Sequence, residues 1–170
     1  MKLPIFMPPA GLAEINATFG NIMDYVKLMP NGSMLLSPEF EQIHICSLEL
    51  PFSVRLVGNT DVIITRIRCH KLLREHFKLI FDKILDEGLQ GAIKSFGGCF
   101  NFRQKRSGTG LSTHSWGIAI DLNPETNRAG TKGDLDHGII SIFKDAEFVW
   151  GGEWIGHTRD PMHFQFCSGY

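Results

Sequence analysis

The last third of the chain contains two histidines and two aspartates whose types and spacing can do chemistry: His114, Asp121, Asp160 and His163. Zinc hydrolases hold the metal with three protein ligands, often two histidines and one acid, and leave the fourth position to water. We assign His114, Asp121 and His163 as the three ligands of such a site. Manganese, iron or cobalt also accept imidazole and carboxylate ligands. The chain has no HExxH sequence, so a helix-borne site of the zincin type is excluded.

The fourth residue, Asp160, is a candidate general base. It precedes His163 by three residues, with Pro161 between them, so it can stand beside a water at the metal and take its proton. A zinc ion lowers the pKa of such a water toward ~7, which makes a carboxylate sufficient for this task. An Asp-Pro turn is the structural alternative. Glu153 competes for the same role, and we favour Asp160 because the base must lie within hydrogen-bonding reach of the water.

A basic loop, FNFRQKR, precedes these residues and offers a charge partner for the reaction. Hydrolysis of an amide builds an oxyanion that needs a donor besides the metal. Arg103 is our candidate, because a guanidinium can bind either that oxygen or a substrate carboxylate. We expect Lys105 and Arg106 to form a solvated rim, and a wholly solvated loop is the alternative for the run.

Two tryptophans flank a Gly-Gly pair in the sequence WGGEW. Trp150 and Trp154 could wall a cleft with aromatic surface while the glycines permit close backbone approach. Packing of both indoles in the core is the alternative, since tryptophan is usually well buried.

Strand-like alternation indicates how two of the ligands meet. In residues 117–122 and 162–167 apolar side chains recur at every second position, which is the period of a strand. Asp121 falls on the face opposite the apolar one, and so do His163 and Gln165. If the two strands are neighbours, Asp121 and His163 point into one cleft. A carboxylate within the apolar run GIAIDL also needs a cation.

The clearest helical pattern covers residues 67–87, where apolar side chains recur at three- and four-residue spacing before Gly88. His70 and His76 fall within it, six residues apart, which does not place two ligands on one helical face. We interpret both as surface or boundary histidines.

The composition predicts one domain and excludes several partners. The chain has 170 residues, of which 43% are hydrophobic, so we expect a single domain over residues 1–170. With 17 basic and 18 acidic residues it has no global field to recruit nucleic acid or an anionic membrane. No apolar run approaches the ~18 residues that span a bilayer, so we expect no membrane insertion. We also expect a monomer.

The N-terminus and the cysteines indicate in which cellular compartment the protein is made. Prolines interrupt the first apolar run, which makes it a poor secretory signal. We therefore expect synthesis in the cytoplasm and, for a substrate outside it, release or export by a separate route. The cysteines are scattered without a CxxC pair, and we expect buried free thiols. They are Cys46, Cys69, Cys99 and Cys167.

Three motifs carry a family resemblance: SxHxxGxAxD from Ser112 to Asp121, WGGxW from Trp150, and DxxHF from Asp160. Together they resemble the VanY-type D-alanyl-D-alanine carboxypeptidases and the related L-alanyl-D-glutamate endopeptidases, which include phage endolysins. The resemblance is strongest over residues 97–166. It implies an α+β fold with a central antiparallel sheet and flanking helices, shared with lysostaphin and the hedgehog domain. We expect residues 1–50 to wrap around a zinc peptidase core of about residues 60–167.

The resemblance also implies a function. Its substrate would be the stem peptide of bacterial peptidoglycan, cut as a D-Ala-D-Ala carboxypeptidase or an L-Ala-D-Glu endopeptidase would cut it. His114, Asp121 and His163 match the family's metal ligands, and Asp160 matches its acid/base. Arg103 matches the arginine that stabilises substrate or oxyanion, and we suggest a substrate contact for Ser112. The alternative is a catalytically silent, zinc-stabilised module on the same fold that binds the cell wall or a protein.

Overall fold

A six-stranded sheet carries the residues of the candidate site in a computed structural model that describes residues 7–106 and 110–170. The described residues form four α-helices: α1 (Gly11–Phe19), α2 (Pro38–His44), α3 (Arg74–Asp86) and α4 (His137–Asp145). Two short strands, β1 (Val26–Leu28) and β2 (Met34–Leu36), pair separately as a hairpin. The six strands of the main sheet are β3 (Ile45–Leu56), β4 (Asn59–His70), β5 (Ser95–Gly98), β6 (Ala119–Leu122), β7 (Val149–Trp150) and β8 (His163–Gln165).

The strands of the main sheet lie in the order β4, β3, β5, β6, β8, β7. Neighbours run antiparallel except β3 and β5, which pair in parallel through Arg55 and Ser95. The expected α+β class is confirmed, and the one parallel pair makes the sheet mixed. That pair exists because α3 carries the chain back across the sheet between β4 and β5, as a parallel connection requires.

The predicted helix over residues 67–87 is wrong at its start. Residues 67–70 end β4, where Ile67 pairs with Leu48, and the helix begins only at Arg74. Both histidines within the predicted span, His70 and His76, are buried rather than at the surface. The apolar residues before Arg74 fit either period, and pairing with β3 decides between them.

Two helices pack on one face of the sheet and form the core with it. On α3 the side chains of Phe77, Ile80, Phe81 and Ile84 share one buried face. Asp136 begins α4 by accepting a hydrogen bond from the Gly138 amide at 2.7 Å. Phe143 of α4 stacks on Phe164 of β8, with ring centroids 4.2 Å apart. This packing holds the helix-facing side of β8 in the core, and the opposite side of the strand is free to carry the candidate site.

The N-terminal part of the chain lies against the segments that carry the site. The Gly11 amide donates to the Ser168 carbonyl at 2.8 Å, and the buried Trp116 indole donates to the Gly20 carbonyl at 3.0 Å. Residues 1–6 of the expected wrapping segment lie outside the described residues. All four cysteines are free thiols, and three of them are buried. Within the described ranges no helix is long and apolar enough to cross a membrane.

Candidate metal centre

Two neighbouring strands bring Asp121 and His163 together. In the antiparallel pair β6–β8 these residues lie directly opposite each other. Their strand neighbours Ile120 and Phe164 are fully buried on the opposite, core-facing side. The alternation expected from the sequence is thereby confirmed, and both polar side chains point away from the helices into one cleft.

His114 reaches the same point from a short 3₁₀ turn, Thr113–Trp116. Gly117 ends this turn with φ of 69°, a left-handed conformation that glycine adopts without strain, and β6 starts two residues later. The Nδ1 atom of His114 lies 2.8 Å from the Cys99 carbonyl, which only accepts, so Nδ1 carries the proton. The lone pair is then on Nε2, which is buried and has no hydrogen-bond partner among the described residues.

The three side chains form a compact cluster with the dimensions of a metal site. His114 Nε2 lies 3.2 Å from Asp121 Oδ1, and His163 Nδ1 lies 2.9 Å from the same oxygen. The ligand atoms of all three residues lie within 4.8 Å of one another. Ligands held ~2 Å from a tetrahedral ion are about 3.3 Å apart, which is close to these separations. An unpartnered imidazole nitrogen, a carboxylate and a second imidazole therefore fit a divalent cation.

The electrostatics of the cluster favour a charged carboxylate. Burial alone would raise the pKa of Asp121, but the His114 and His163 imidazoles outweigh it and hold that pKa well below its usual value. Burial lowers the pKa of His163, and the hydrogen bond and charge of Asp121 outweigh it, so the pKa is raised overall. Asp121 Oδ1 is therefore an anionic oxygen between two imidazoles, which favours the binding of a cation.

Asp160 stands at the edge of the cluster, as a general base would. Its amide donates to the Gly151 carbonyl at 2.9 Å, and its own carbonyl accepts from the His163 amide at 3.0 Å. Its Oδ1 atom is buried without a hydrogen-bond partner in the described part of the chain. Burial, together with the negative charge of Asp121, raises the pKa of Asp160, although the neighbouring histidines and Arg106 oppose the shift. A raised pKa suits a group that must accept and then return a proton.

The cluster lies in a cleft of about 420 Å³ with an acidic floor and a basic rim. Asp121 and Asp160 line the floor. Arg103, Lys105 and Arg106 of the basic loop line the rim, and their charge favours substrates with an acidic group. The remaining lining residues that bear on substrate contact are Ser112, Thr113, Trp154, His157, Met162 and Tyr170.

Arg103 and Ser112, both predicted to contact substrate, lie side by side at the cleft. The Ser112 amide donates to the Arg103 carbonyl at 2.9 Å, and the Arg103 amide donates to Ser115 Oγ at 3.1 Å. These bonds hold the main chain of the basic loop against the turn that carries His114. Among the described residues the Arg103 guanidinium donates to the Gln104 carbonyl alone, at 3.3 Å, so its remaining N–H groups are available to a substrate.

Two other predictions have different outcomes. Trp154 lines the cleft, and its ring lies 5.6 Å from that of His163. Trp150 does not line the cleft: it is part of β7, and its indole donates to the Pro161 carbonyl at 2.8 Å. Its expected role as a cleft wall is therefore corrected to bracing the turn between Asp160 and His163. Glu153, the rival base, faces away and forms an ion pair with Lys144 at 2.5 Å.

Several residues of the cleft were not predicted from the sequence. Thr113 and Gln165 are buried beside His163 and hydrogen-bond to each other at 3.3 Å. Tyr170 anchors the basic loop, since its hydroxyl donates to the Leu111 carbonyl at 2.9 Å while Lys105 Nζ lies 3.6 Å from its ring centre. Alternation had already placed Gln165 on the face of His163. No sequence signal points to Thr113 or Tyr170.

In the described residues, an α+β domain thus brings a His–Asp–His cluster that could bind a metal ion into one cleft with the Asp160 carboxylate. Residues 105–166 match the family model of the D-alanyl-D-alanine carboxypeptidases, a VanY-like peptidase family. The family resemblance is thereby confirmed over this segment, which contains Ser112, the three cluster residues and Asp160. Arg103 lies just before it. Searches of the curated proteins and of the solved structures gave no significant match.

Proposed function

We propose that this protein is a zinc-dependent peptidase that hydrolyses an amide bond in the stem peptides of bacterial peptidoglycan. One observation carries the proposal: His114 Nε2, Asp121 Oδ1 and His163 Nδ1 converge at a cleft that Asp160 also lines, and Asp160 Oδ1 is buried there without a hydrogen-bond partner among the described residues. The match of residues 105–166 to a peptidase family supports the reaction class. Its description as a D-alanyl-D-alanine carboxypeptidase supports a peptidoglycan substrate.

The donor set favours zinc. Two imidazole nitrogens and one carboxylate oxygen are the ligands of many hydrolytic zinc sites, whereas calcium and magnesium prefer oxygen ligands throughout. Bound there, zinc would polarise the scissile carbonyl and lower the pKa of a water molecule.

The chain's own residues supply the remaining steps. Asp160 accepts a proton from the attacking water and returns it to the nitrogen of the leaving amine, so that one water is consumed for each amide cut. Arg103 donates to the oxyanion or to a substrate carboxylate, and Trp154 covers His163 on the side facing the cleft.

The basic rim favours a peptide that carries carboxylates. Arg103, Lys105 and Arg106 line the same cleft as the carboxylates of Asp121 and Asp160, whose charges face the neighbouring histidines. Stem peptides carry a terminal carboxylate and the acidic D-Glu residue, so either can meet the rim. A carboxypeptidase would bind the terminal group beside the scissile bond, and an endopeptidase would bind an internal one.

The test compares the wild type with Asp160→Asn and Glu153→Gln on purified sacculi, with released peptides identified by mass spectrometry. We expect Asp160→Asn to lower peptide release by about 10²- to 10⁴-fold while zinc stays bound. Glu153→Gln, the matched control on the outer face, should retain activity. A silent binding module predicts intact sacculi with every variant at full zinc occupancy, and that result would overturn the proposal. The masses of the products identify the bond that is cut.

A further inference from the structure

Gln165 lies two residues after His163 on β8, with its side chain on the same face of the sheet. It is only 3% exposed, so its amide group has lost contact with water and must find partners within the protein. Its three hydrogen bonds determine which way the amide points.

Those bonds form one network around His163. Gln165 Nε2 donates to the Cys167 carbonyl at 3.2 Å. The Oε1 atom of Gln165 lies 3.0 Å from His163 Nε2 and 3.3 Å from Thr113 Oγ1. Because a main-chain carbonyl only accepts, the Cys167 carbonyl requires the amino group of Gln165 on its side. The reversed amide would set two carbonyl oxygens against each other, so Oε1 must face His163.

This orientation decides the tautomer of His163. An amide oxygen only accepts, so Nε2 of His163 carries a proton and donates it to Gln165. Asp121 alone would favour the other tautomer, in which Nδ1 carries the proton and donates to Oδ1 at 2.9 Å. Because Gln165 holds the proton on Nε2, the lone pair of His163 is on Nδ1 and points toward Asp121 Oδ1. Two acceptors at this distance attract a cation between them.

We propose that Gln165 is a positioning residue that holds His163 in the tautomer able to bind metal through Nδ1. His114 has the equivalent support from the Cys99 carbonyl, which holds its proton on Nδ1 and leaves Nε2 for the metal. Each imidazole is therefore fixed by an acceptor behind it, one from the main chain and one from a side chain. The inference rests on the metal site of the proposed function.

The test measures zinc affinity by competition with a chelator for the wild type, Gln165→Met and Gln165→Glu. Methionine has nearly the shape of glutamine without the acceptor, so we expect zinc binding to weaken by about 10- to 100-fold. A buried glutamic acid can accept from His163 with one oxygen and donate to the Cys167 carbonyl with its hydroxyl. Gln165→Glu should therefore bind zinc within about threefold of the wild type.

Phe164→Leu is the matched control, because it alters the core-facing side of the same strand and leaves the network intact. It should lower the melting temperature without changing zinc affinity. A second readout is the tautomer of His163 in the metal-free protein, observed by ¹⁵N NMR at a pH where the ring is neutral. The wild type should carry the proton on Nε2, and Gln165→Met should shift it toward Nδ1.

Zinc affinity of Gln165→Met within about threefold of the wild type would overturn the inference, given the 10- to 100-fold effect usual for such partners. Equal weakening by Gln165→Met and Gln165→Glu would also overturn it, because the cause would then be packing rather than the acceptor. Failure of the proposed function is distinguishable: the wild type would bind zinc with the predicted pattern of affinities and yet release no peptide from sacculi.

Discussion

The main chain of Gly151 holds Asp160 in place: the Gly151 carbonyl accepts from the Asp160 amide at 2.9 Å, and no side chain fits between the two. A Cβ atom on Gly151 would lie 2.5 Å from the Asp160 carbonyl oxygen and 3.3 Å from its Cβ. The first glycine of the WGGxW motif thus positions the candidate base, and it connects two motifs that are separate in the sequence.

Gly151→Ala tests this relationship. The added methyl group must push Asp160 away from the cluster, and a displacement of about 1 Å can lower the rate of a positioned group by about 10²-fold. We expect peptide release from sacculi to fall by that order and zinc affinity to change far less, because the methyl group meets Asp160 directly and reaches His163 only through the Asp160 carbonyl, which accepts from the His163 amide. Both quantities are measured on the same preparation.

Gly91→Ala is the control for replacing a glycine as such. A Cβ atom at Gly91 meets no atom of the described residues within 4 Å, so both activity and stability should stay close to the wild type. Full activity in Gly151→Ala would show that Asp160 needs no close support from this turn.

Arg103 is expected to act through the fork of its guanidinium rather than through charge alone. Arg103→Lys retains the charge and loses the second N–H of the fork, so we predict a fall in kcat/KM of about 10²-fold on a soluble stem peptide. Arg106→Lys, on the exposed part of the rim, should change kcat/KM by no more than about threefold, as a solvated charge would. The measurement is kcat/KM of the two variants from steady-state kinetics. Equal effects of the two substitutions would show that Arg103 contributes only its charge, as the rim residues do.

We predict that the buried His70 makes the protein less stable at mildly acidic pH. Burial, aided by the charges of His44 and Lys71, lowers the pKa of His70 to about 4 from 6.5, against the opposing effect of its bond to the Phe19 carbonyl. The unfolded chain therefore takes up this proton first as the pH falls. The contribution of His70 to the free energy of unfolding is fully present above pH 6.5. It is lost progressively as the pH falls toward 4, by about 3 kcal/mol in all.

The measurement is the free energy of unfolding from denaturant titrations between pH 7 and pH 4, on wild type and His70→Gln. Glutamine can accept from Leu72 and donate to Phe19 without titrating, so the variant should show a shallower decline with falling pH. Parallel curves for the two proteins would remove His70 as the source of the acid sensitivity.

The part of the site that depends on local periodicity was predictable from the sequence. A strand has a period of two, so the positions of Asp121 and His163 relative to their apolar neighbours fixed their faces, and the Asp121–His163 register confirms that they meet. The chemistry of the donor set also follows from residue types alone.

The features that depend on contacts between residues distant in the sequence were not predictable. Residues 67–70 were assigned to a helix because their apolar spacing suits one, and only pairing with β3 makes them a strand. Trp150 was expected at the cleft wall because it flanks the Gly-Gly pair of WGGEW, yet its indole donates to the Pro161 carbonyl. The bond between Gln165 and the Cys167 carbonyl likewise depends on the bend at residue 166 that follows β8.

The most direct measurement is a titration of the metal-free protein with zinc, in which bound zinc and peptides released from sacculi are counted together. We predict that release is absent without metal, rises in proportion to bound zinc, and saturates at one zinc per chain. His163→Ala should abolish both, because it removes one of the three proposed ligands. Intact sacculi at one bound zinc per chain, or peptide release that persists in chelator, would contradict a zinc-dependent peptidase.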